Sequence, residues 1–388
     1  MNNNRRVILF SLIIVLIACV VAVAALLLSP KDGRKAEEAH SQHDLPDFYS
    51  DNPAPVLTLV GDIYLGASGL SVIEKKGYRY PFDKVRRLLK GDIIIGNQEA
   101  PITEREEMLD EKKLWNAKQS PLSLDALKNE GFTLLSLANN HISDYRLAGV
   151  LDTIGHLESA GIEWCGFDKD PNNPDEGRVI EARGVKFGFL CYQSRLGLSE
   201  KFWGKWNWFS EAGSHPGVPL LTAERIERDI RRLREEKGAQ VVVVINHWGE
   251  DYKPVTEEQK TIGRKAIDLG ADLVVGHHSH IPQTVEIYAD KPIIYGLGNF
   301  AFLSGGRFKK KSLERLAFGL VTHIKIGAGG WEWIRLTPVW VNNRHKKIRY
   351  RARPATQEQS AELFDEILSK GNPALEWKLD GAAAVIVK

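Results

Sequence analysis

The pattern of hydrophobic and polar positions begins with one long apolar segment near the N-terminus. Residues Val7 to Leu28 include no charged side chain. A helix of about 20 apolar residues is long enough to cross the hydrocarbon core of a bilayer. Arg5 and Arg6 precede the segment, so the positive-inside rule predicts residues 1–6 in the cytoplasm. We therefore predict a single-pass transmembrane helix at residues 7–28 in the cell membrane, with the main domain outside the cytoplasm.

A second interpretation of this segment stays open. Residues Leu16 to Cys19 resemble the cleavage motif of a bacterial lipoprotein, which would anchor the chain through Cys19. Residues 20–28 remain apolar where a lipoprotein usually becomes polar, and this favours the uncleaved anchor. Both interpretations tether the domain to the outer face of the cytoplasmic membrane. Residues 29–54 are polar and contain Pro46 and Pro53, so they are predicted to form a linker.

Short apolar runs then alternate with amphipathic segments. Predicted strands lie at Val56–Val60, Ile93–Ile95, Thr133–Leu137, Gly161–Cys165, Arg178–Glu181, Lys186–Tyr192, Val241–Asn246, Leu273–Val275 and Ile293–Tyr295. Predicted helices lie at Tyr80–Lys90, Ser123–Glu130, Ala148–Ala160, Ala223–Lys237 and Glu257–Leu269. This alternation is typical of a layered α/β domain whose sheets are covered by helices.

The pattern changes after Asn299. Leu316–Ile326 and Trp331–Val341 are predicted as longer antiparallel strands, and Gln357–Leu368 as a final helix. We predict one domain at residues 55–345, followed by a C-terminal helix and tail at residues 346–388.

Composition narrows the possible partners only slightly. The chain is 43% hydrophobic and 26% charged with a formal net charge of +2, so it has no broad basic face and we predict no nucleic-acid partner. Cys165 and Cys191 lie in apolar, strand-like contexts. They fit buried small hydrophobic residues or, in an oxidising compartment, a disulfide. The cysteine spacing does not match a structural zinc site.

Polar residues that can bind a metal follow five of the predicted strands. They are Asp62, then Asn97 and Glu99, then Asn140 and His141, then His247, and finally His277, His278 and His280. In α/β sheets, ligands bind at the carboxyl ends of the strands. Carboxylates, amide oxygens and imidazoles suit divalent manganese, iron or zinc. Each residue alone also fits a turn or a packed side chain, but their conjunction predicts a site for one or two ions.

The same segments resemble the conserved blocks of the bacterial CapA/PgsA capsule-synthesis family. The similar blocks are Gly61–Gly66, Gly96–Thr103, Leu137–Tyr145, His247–Tyr252, Gly270–His280 and Ile294–Phe300. Their order and spacing match from about Val56 to Asn299. The resemblance implies a metallophosphoesterase-like β-sandwich flanked by helices, and a role in poly-γ-glutamate synthesis or export. The expected partners are the membrane, synthase or export subunits, and an anionic substrate.

Carried over residue by residue, the resemblance implies roles for the strand-end residues. The implied metal ligands are Asp62, Asn97, Glu99, Asn140, His247, His278 and His280. His141 would protonate the leaving oxygen, and Asp144 would orient it. The implied substrate-binding residues are Tyr64, Arg146 and Asn299.

Two departures from the phosphoesterase pattern weaken the first metal position. Tyr64 replaces an expected histidine, and Asn97 with Glu99 replaces the usual aspartate. Three functions therefore stay open at this point. They are a capsule-biosynthesis factor, an extracytoplasmic metal-dependent phosphoesterase acting on an unidentified ester, and a non-catalytic scaffold.

Overall fold

The apolar runs of the sequence form strands that are joined into two mixed sheets. The computed structural model describes residues 54–113, 115–170, 172, 174, 177–195, 209–210, 215–308 and 311–388. The predicted cytoplasmic tip, the transmembrane helix and the linker up to residue 53 lie outside these residues. None of the helices described is both long enough and apolar enough to cross a membrane. Residues Pro53–Lys388 form one compact unit.

The strands follow the predicted order along the chain. They are β1 (Val56–Tyr64), β2 (Ile93–Gln98), β3 (Leu134–Ser136), β4 (Glu163–Cys165), β5 (Arg178–Ala182), β6 (Val185–Gln193), β7 (Phe209–Ser210), β8 (Val218–Pro219), β9 (Val241–His247), β10 (Leu273–His277), β11 (Val285–Tyr288), β12 (Lys291–Ile294), β13 (Asn299–Phe302), β14 (Phe318–Gly327), β15 (Gly330–Trp340), β16 (Arg353–Pro354), β17 (Lys378–Asp380) and β18 (Ala383–Val387).

Helices connect and cover these strands. They are α1 (Leu70–Lys76), α2 (Leu124–Asn129), α3 (Arg146–Ala160), α4 (Ala223–Glu235), α5 (Glu257–Asp268), α6 (Lys311–Glu314) and α7 (Gln357–Phe364). Caps fix the starts of the two helices on the second sheet. The Thr222 side chain accepts a hydrogen bond from the Arg225 amide at the start of α4. Thr256 and Gln259 form a capping box at the start of α5.

The first sheet has the strand order β17-β18-β15-β14-β1-β2-β3-β4, with β13 paired to β1 and β16 to β15. The second sheet has the order β11-β12-β10-β9-β6-β5. Strands β1 to β4 are parallel, and so are β6, β9, β10 and β12. Each sheet therefore gathers the carboxyl ends of several strands at one edge. This layered α/β architecture confirms the fold class predicted from the alternation of strands and helices.

Strand β9 shows why a continuous apolar run is needed in the second sheet. Val241, Val243 and Ile245 belong to the core between the sheets. Val242 and Val244 belong to a separate core with residues of helices α4 and α5. Because successive side chains of a strand point to opposite faces, a strand covered on both faces must be apolar at every position.

A disulfide joins the two sheets. Cys165 ends β4 in the first sheet and Cys191 lies in β6 of the second, with their Cα atoms 5.7 Å apart. The sequence allowed either buried thiols or this bridge. Both residues are at most 3% exposed, so the bridge lies within the core between the sheets.

The predicted helix at Tyr80–Lys90 is not continuous. The segment forms two 3₁₀ turns, Tyr80–Phe82 and Arg86–Leu88. A segment this short has little helical stability of its own. The burial of Phe82 and Val85 in the core therefore determines its geometry.

The C-terminal region contributes more than a helix and tail. Helix α7 ends at Phe364, and a π-helical turn at Asp365–Ser369 follows it. Strands β16 and β18 both pair with β15, so residues 346–388 extend the first sheet.

Candidate functional site

The register of the parallel strands brings the predicted site residues together. Asp62 in β1 pairs with Asn97 in β2 and with Asn299 in β13. His247 at the end of β9 pairs with His277 at the end of β10. These residues are at most 3% exposed, so the site is a buried cluster at the carboxyl edges of the strands.

Two glycines allow the backbone to approach closely at this edge. A Cβ atom on Gly61, the residue before Asp62, would lie 1.8 Å from the Gly298 carbonyl oxygen. A Cβ atom on Gly276, the residue before His277, would lie 1.9 Å from the Tyr295 carbonyl oxygen. Any larger side chain at either position would therefore push the adjacent site residue out of place.

Asn97 holds the two buried carboxylates. Its amide nitrogen donates a hydrogen bond to Asp62 Oδ1 at 2.9 Å and another to Glu99 Oε2. Its amide oxygen accepts from Asn139 Nδ2 at 3.2 Å. This arrangement favours a positioning role for Asn97, whose ligand role stays a prediction. Sequence reasoning missed Asn139, because a single Asn next to Asn140 carries no distinct signal.

One group of donor atoms surrounds His247. Its Nε2 atom lies 2.8 Å from Asn140 Oδ1, 3.0 Å from His278 Nδ1 and 3.7 Å from Glu99 Oε1. Ligands bonded to one metal ion at about 2.1 Å lie roughly 3.0–3.4 Å from one another. The separations within this group are close to those of atoms that share an ion.

A second group of donor atoms surrounds Asp62. His277 Nδ1 lies 3.2 Å from Asp62 Oδ1, and His280 Nδ1 lies 3.3 Å from Asp62 Oδ2. His277 was not among the metal ligands that the resemblance implied. The structure places its imidazole beside Asp62, so this group contains two imidazoles although Tyr64 replaces a histidine of the phosphoesterase pattern.

The residues present fit a divalent cation. One donor atom from each of Asp62, Glu99 and His247 lies within 4.8 Å of the other two. Glu99 Oε1 is buried and has no hydrogen-bond partner, and Asp62 Oδ2 likewise receives no hydrogen bond. A buried anionic oxygen without a partner is costly, and a bound cation would remove that cost.

The electrostatics of the cluster also favour a cation. Burial, together with the negative charge of Asp62, raises the pKa of Glu99 well above its usual value. Burial acts to raise the pKa of Asp62 too, but the adjacent imidazoles of His277 and His280 outweigh it and hold that pKa well below its usual value. Burial lowers the pKa of His247 well below that of a free histidine, so its ring is in the neutral form that binds metals.

The structure brings His141 and Asp144 into contact. His141 Nδ1 lies 2.7 Å from Asp144 Oδ2, which also accepts a hydrogen bond from the Ala117 amide at 2.7 Å. Asp144 therefore fixes the ring and leaves Nε2 as the nitrogen that can exchange a proton with a substrate. Burial, followed by the charge of Lys113, lowers the pKa of His141.

Lys113 is a residue of this region that sequence reasoning did not identify. Its ammonium forms an ion pair with Asp144 and donates to the Asn140 carbonyl oxygen at 2.9 Å. It therefore links the segment after β2 to the turn that carries Asn140 and His141. Its partners lie 27 and 31 positions away in sequence, so no local motif marks it.

The three residues predicted to bind substrate all make contacts within the protein. The Tyr64 ring is buried and packs 5.5 Å from the Phe302 ring. Asn299 Oδ1 lies 2.9 Å from His280 Nδ1. The Arg146 guanidinium donates to the Met108 carbonyl oxygen at 3.1 Å and lies 3.2 Å from a Glu107 oxygen. Their role in substrate binding stays a prediction.

Comparisons with known proteins add independent information. Residues 56–304 match the family model described as bacterial capsule synthesis protein PGA_cap. The chain is 31% identical over 282 residues to the capsule biosynthesis protein CapA of Bacillus anthracis, covering 69% of this chain and 64% of that protein. It is 31% identical over 260 residues to the PGA biosynthesis protein CapA of Bacillus subtilis, covering 66% of this chain and 65% of that protein. Both matches span slightly less than two thirds of the relatives' own lengths.

Two further similarities are weaker. The chain is 29% identical over 235 residues to a probable polyglutamine synthesis accessory protein of Mycobacterium tuberculosis, covering 57% of this chain and 59% of that protein. A solved structure of a novel phosphatase from Mycoplasma pneumoniae is similar with a TM-score of 0.41 and 14% identity, covering 71% of this chain and 89% of that one.

Proposed function

Because this chain belongs to the bacterial capsule synthesis protein family PGA_cap, we propose that it acts in the synthesis or export of poly-γ-glutamate through a divalent-metal centre. The observation that carries the proposal is the convergence of carboxylate, amide and imidazole donors at the strand ends. Poly-γ-glutamate is a polyanion, and a cationic centre in a buried cluster is suited to bind its carboxylates or a phosphorylated precursor.

The donor atoms divide into two sets. Asp62, His277 and His280 would hold a first ion, and Asn140, His247 and His278 would hold a second. Glu99 lies 3.7 Å from His247 and would serve the second set. Manganese, iron and zinc all accept these ligands. When bound, such ions supply Lewis-acid polarisation of a phosphoryl or carbonyl oxygen.

The second candidate function is a metal-dependent phosphoesterase acting outside the cytoplasm. The His141–Asp144 pair favours it, because a scaffold has no need for an imidazole whose Nδ1 is fixed by a buried carboxylate. In this hypothesis His141 donates a proton from Nε2 to the leaving oxygen, Asp144 holds the ring, and Lys113 holds Asp144.

We also propose that the domain lies outside the cytoplasmic membrane and is anchored there. The support is the uncharged segment at residues 7–28 or, in the lipoprotein alternative, Cys19. A disulfide between Cys165 and Cys191 fits this location, because disulfides persist in oxidising compartments. Subunits that synthesise or export the polymer would then be its partners.

The first experiment measures bound metal per chain on the full-length protein purified in detergent. We expect one or two equivalents in the wild type and a reduced content in Asp62→Ala, Asn140→Ala and His247→Ala. His323→Gln is the matched control, because His323 in β14 is also buried but contacts the carbonyl oxygen of Leu88 in a 3₁₀ turn. Absence of metal after reconstitution with manganese, iron or zinc would contradict the proposal.

A second experiment connects the site to the polymer. A poly-γ-glutamate-producing strain that lacks its own family member would express either the wild type or a variant with His247, His278 and His280 all changed to Ala. We expect polymer only with the wild type. Normal polymer from the triple variant, at equal protein level, would instead support a non-catalytic scaffold.

A further inference from the structure

A second layer of residues lies directly outside the histidine cluster. The His278 ring has Nδ1 3.0 Å from His247 Nε2, and its Nε2 lies 3.3 Å from Asp251 Oδ1. The other Asp251 oxygen, Oδ2, lies 3.2 Å from Arg307 Nη2. A continuous path of contacts therefore leads from the proposed metal ligands to a guanidinium group.

Tyr252 supports the same guanidinium from another side. The Arg307 guanidinium carbon lies 5.5 Å from the centre of the Tyr252 ring, which is within the range of a cation–π contact. The Tyr252 ring in turn lies 5.4 Å from the ring of His280. One carboxylate and one aromatic face, both adjacent to site histidines, thus fix the position of Arg307.

Exposure increases outward along this path. The side chain of His278 is 9% exposed, that of Asp251 is 34% exposed and that of Arg307 is 59% exposed.

A guanidinium has five N–H donors, and Arg307 uses one of them on Asp251. Among the residues that the structure describes, no hydrogen bond engages the other four. Arg307 therefore presents free donors at the mouth of the buried cluster.

The backbone before Arg307 is held in place. Arg344 donates to the carbonyl oxygens of Gly305 at 3.0 Å and Gly306 at 3.2 Å. Asn343 donates to the Ser304 carbonyl oxygen at 2.8 Å. These bonds hold the segment before Arg307 against the turn that follows β15, so less backbone freedom is lost when a ligand binds.

We propose that Arg307, supported by Asp251 and Tyr252, forms an anion subsite that receives a substrate carboxylate or phosphate beside the metal centre. The planar fork of the guanidinium matches both groups with two parallel hydrogen bonds. Its charge would hold one anionic group of the substrate while the adjacent group reaches the metals. The subsite rests on the proposed function, because it places the substrate at that centre.

Calorimetry on the full-length, metal-loaded protein tests the subsite with two probes, inorganic phosphate and a γ-linked tetraglutamate. We expect Arg307→Ala to weaken binding of at least one probe by about tenfold or more, as for a lost charged hydrogen bond. Arg307→Lys should restore only part of the affinity, because an ammonium keeps the charge but lacks the fork. The bound metal per chain should not change in either variant.

Arg315→Ala is the matched control. Its side chain is 55% exposed, similar to that of Arg307, but it pairs with Glu366. Arg146→Ala tests the arginine that the sequence favoured. A loss with phosphate alone supports the subsite as a phosphate site, and a loss with tetraglutamate alone supports it as a carboxylate site.

Three outcomes would overturn the subsite. They are equal affinities in the Arg307→Ala and Arg315→Ala variants, a loss in Arg146→Ala instead, and no binding of either probe to metal-loaded wild type. Failure of the proposed function gives a different result, namely a wild type that binds no metal.

Discussion

Replacing Glu99 by Gln should make the metal-free protein more stable than the wild type and reduce the stability that the protein gains from metal. Glu99 is 1% exposed, its Oε2 atom accepts from Asn97, and its Oε1 atom has no hydrogen-bond partner. In Gln, the amide oxygen can keep the bond from Asn97. The uncharged amide nitrogen would then take the position of the unsatisfied oxygen.

The magnitude follows from the burial of this oxygen. A buried polar atom without a partner costs about 1–3 kcal/mol and a charged one costs more, so exchanging the carboxylate for an uncharged amide removes the charge-dependent part of the cost. Burial and the nearby Asp62 charge also raise the pKa of Glu99, so ionising it near neutral pH destabilises the metal-free fold further. A raised folded-state pKa means that this loss of stability grows as the pH rises above the unfolded value of about 4.5. We expect metal-free Glu99→Gln to be about 1–3 kcal/mol more stable than the wild type.

Metal should stabilise the wild type more than it stabilises Glu99→Gln. A cation at one hundred times its Kd stabilises the folded state by about 2.7 kcal/mol. The wild type should gain this stability, whereas Glu99→Gln has lost an anionic ligand and should gain much less. The assay is thermal unfolding of both proteins in chelator and in saturating manganese.

Glu130→Gln is the control for removal of a buried carboxylate. Glu130 is paired with Arg79 at 2.9 Å and Arg86 at 3.3 Å, so its loss should destabilise the protein in both conditions. The reasoning would be refuted if Glu99→Gln were less stable than the wild type in chelator and still showed the full increase with manganese.

Three other predictions follow from single contacts. His141→Ala should keep the bound metal but, if the domain is a phosphoesterase, lower its hydrolysis rate by about 10²–10⁴-fold, which elemental analysis and a phosphoester assay would check together. Changing both Cys165 and Cys191 to Ser should lower the free energy of unfolding by about 3 kcal/mol relative to the oxidised wild type, because the bridge closes a loop with a sequence separation of 26. Urea unfolding with and without reductant measures this difference. Equal free energies of unfolding in the variant and the oxidised wild type would contradict the bridge. Burial lowers the pKa of His323 to about 4. Its depressed pKa means that stability is lost as the pH falls below about 6.5, by about 2 kcal/mol between pH 7.5 and pH 5, and His323→Gln should flatten that part of the urea-derived profile.

The strand ends show how much of the site was predictable. Asp62, Glu99, Asn140, His247 and His280 were identified because each follows an apolar run, and parallel strands bring their carboxyl ends to one edge. The structure places all five in the two donor groups around Asp62 and His247. Local sequence was sufficient here because strand direction alone determines which end faces the site.

The roles of other residues required the tertiary structure. Asn97 was predicted as a ligand, but its amide nitrogen is directed at the two carboxylates. His277 was not among the implied metal ligands, and its contact with Asp62 depends on how the ends of two different sheets meet. Lys113 and Arg307 reach the site from segments without regular periodicity.

The sequence by itself determined the alternation of strands and helices, the fold class and the edge at which the polar residues collect. These properties depend on periodicities of a few residues, which can be recognised along the chain. The tertiary structure decided the disulfide between Cys165 and Cys191, the turns at Tyr80–Lys90 and the arginine that faces the site. Each of these depends on packing or charge between segments far apart in sequence, and short-range patterns carry no information about such distances.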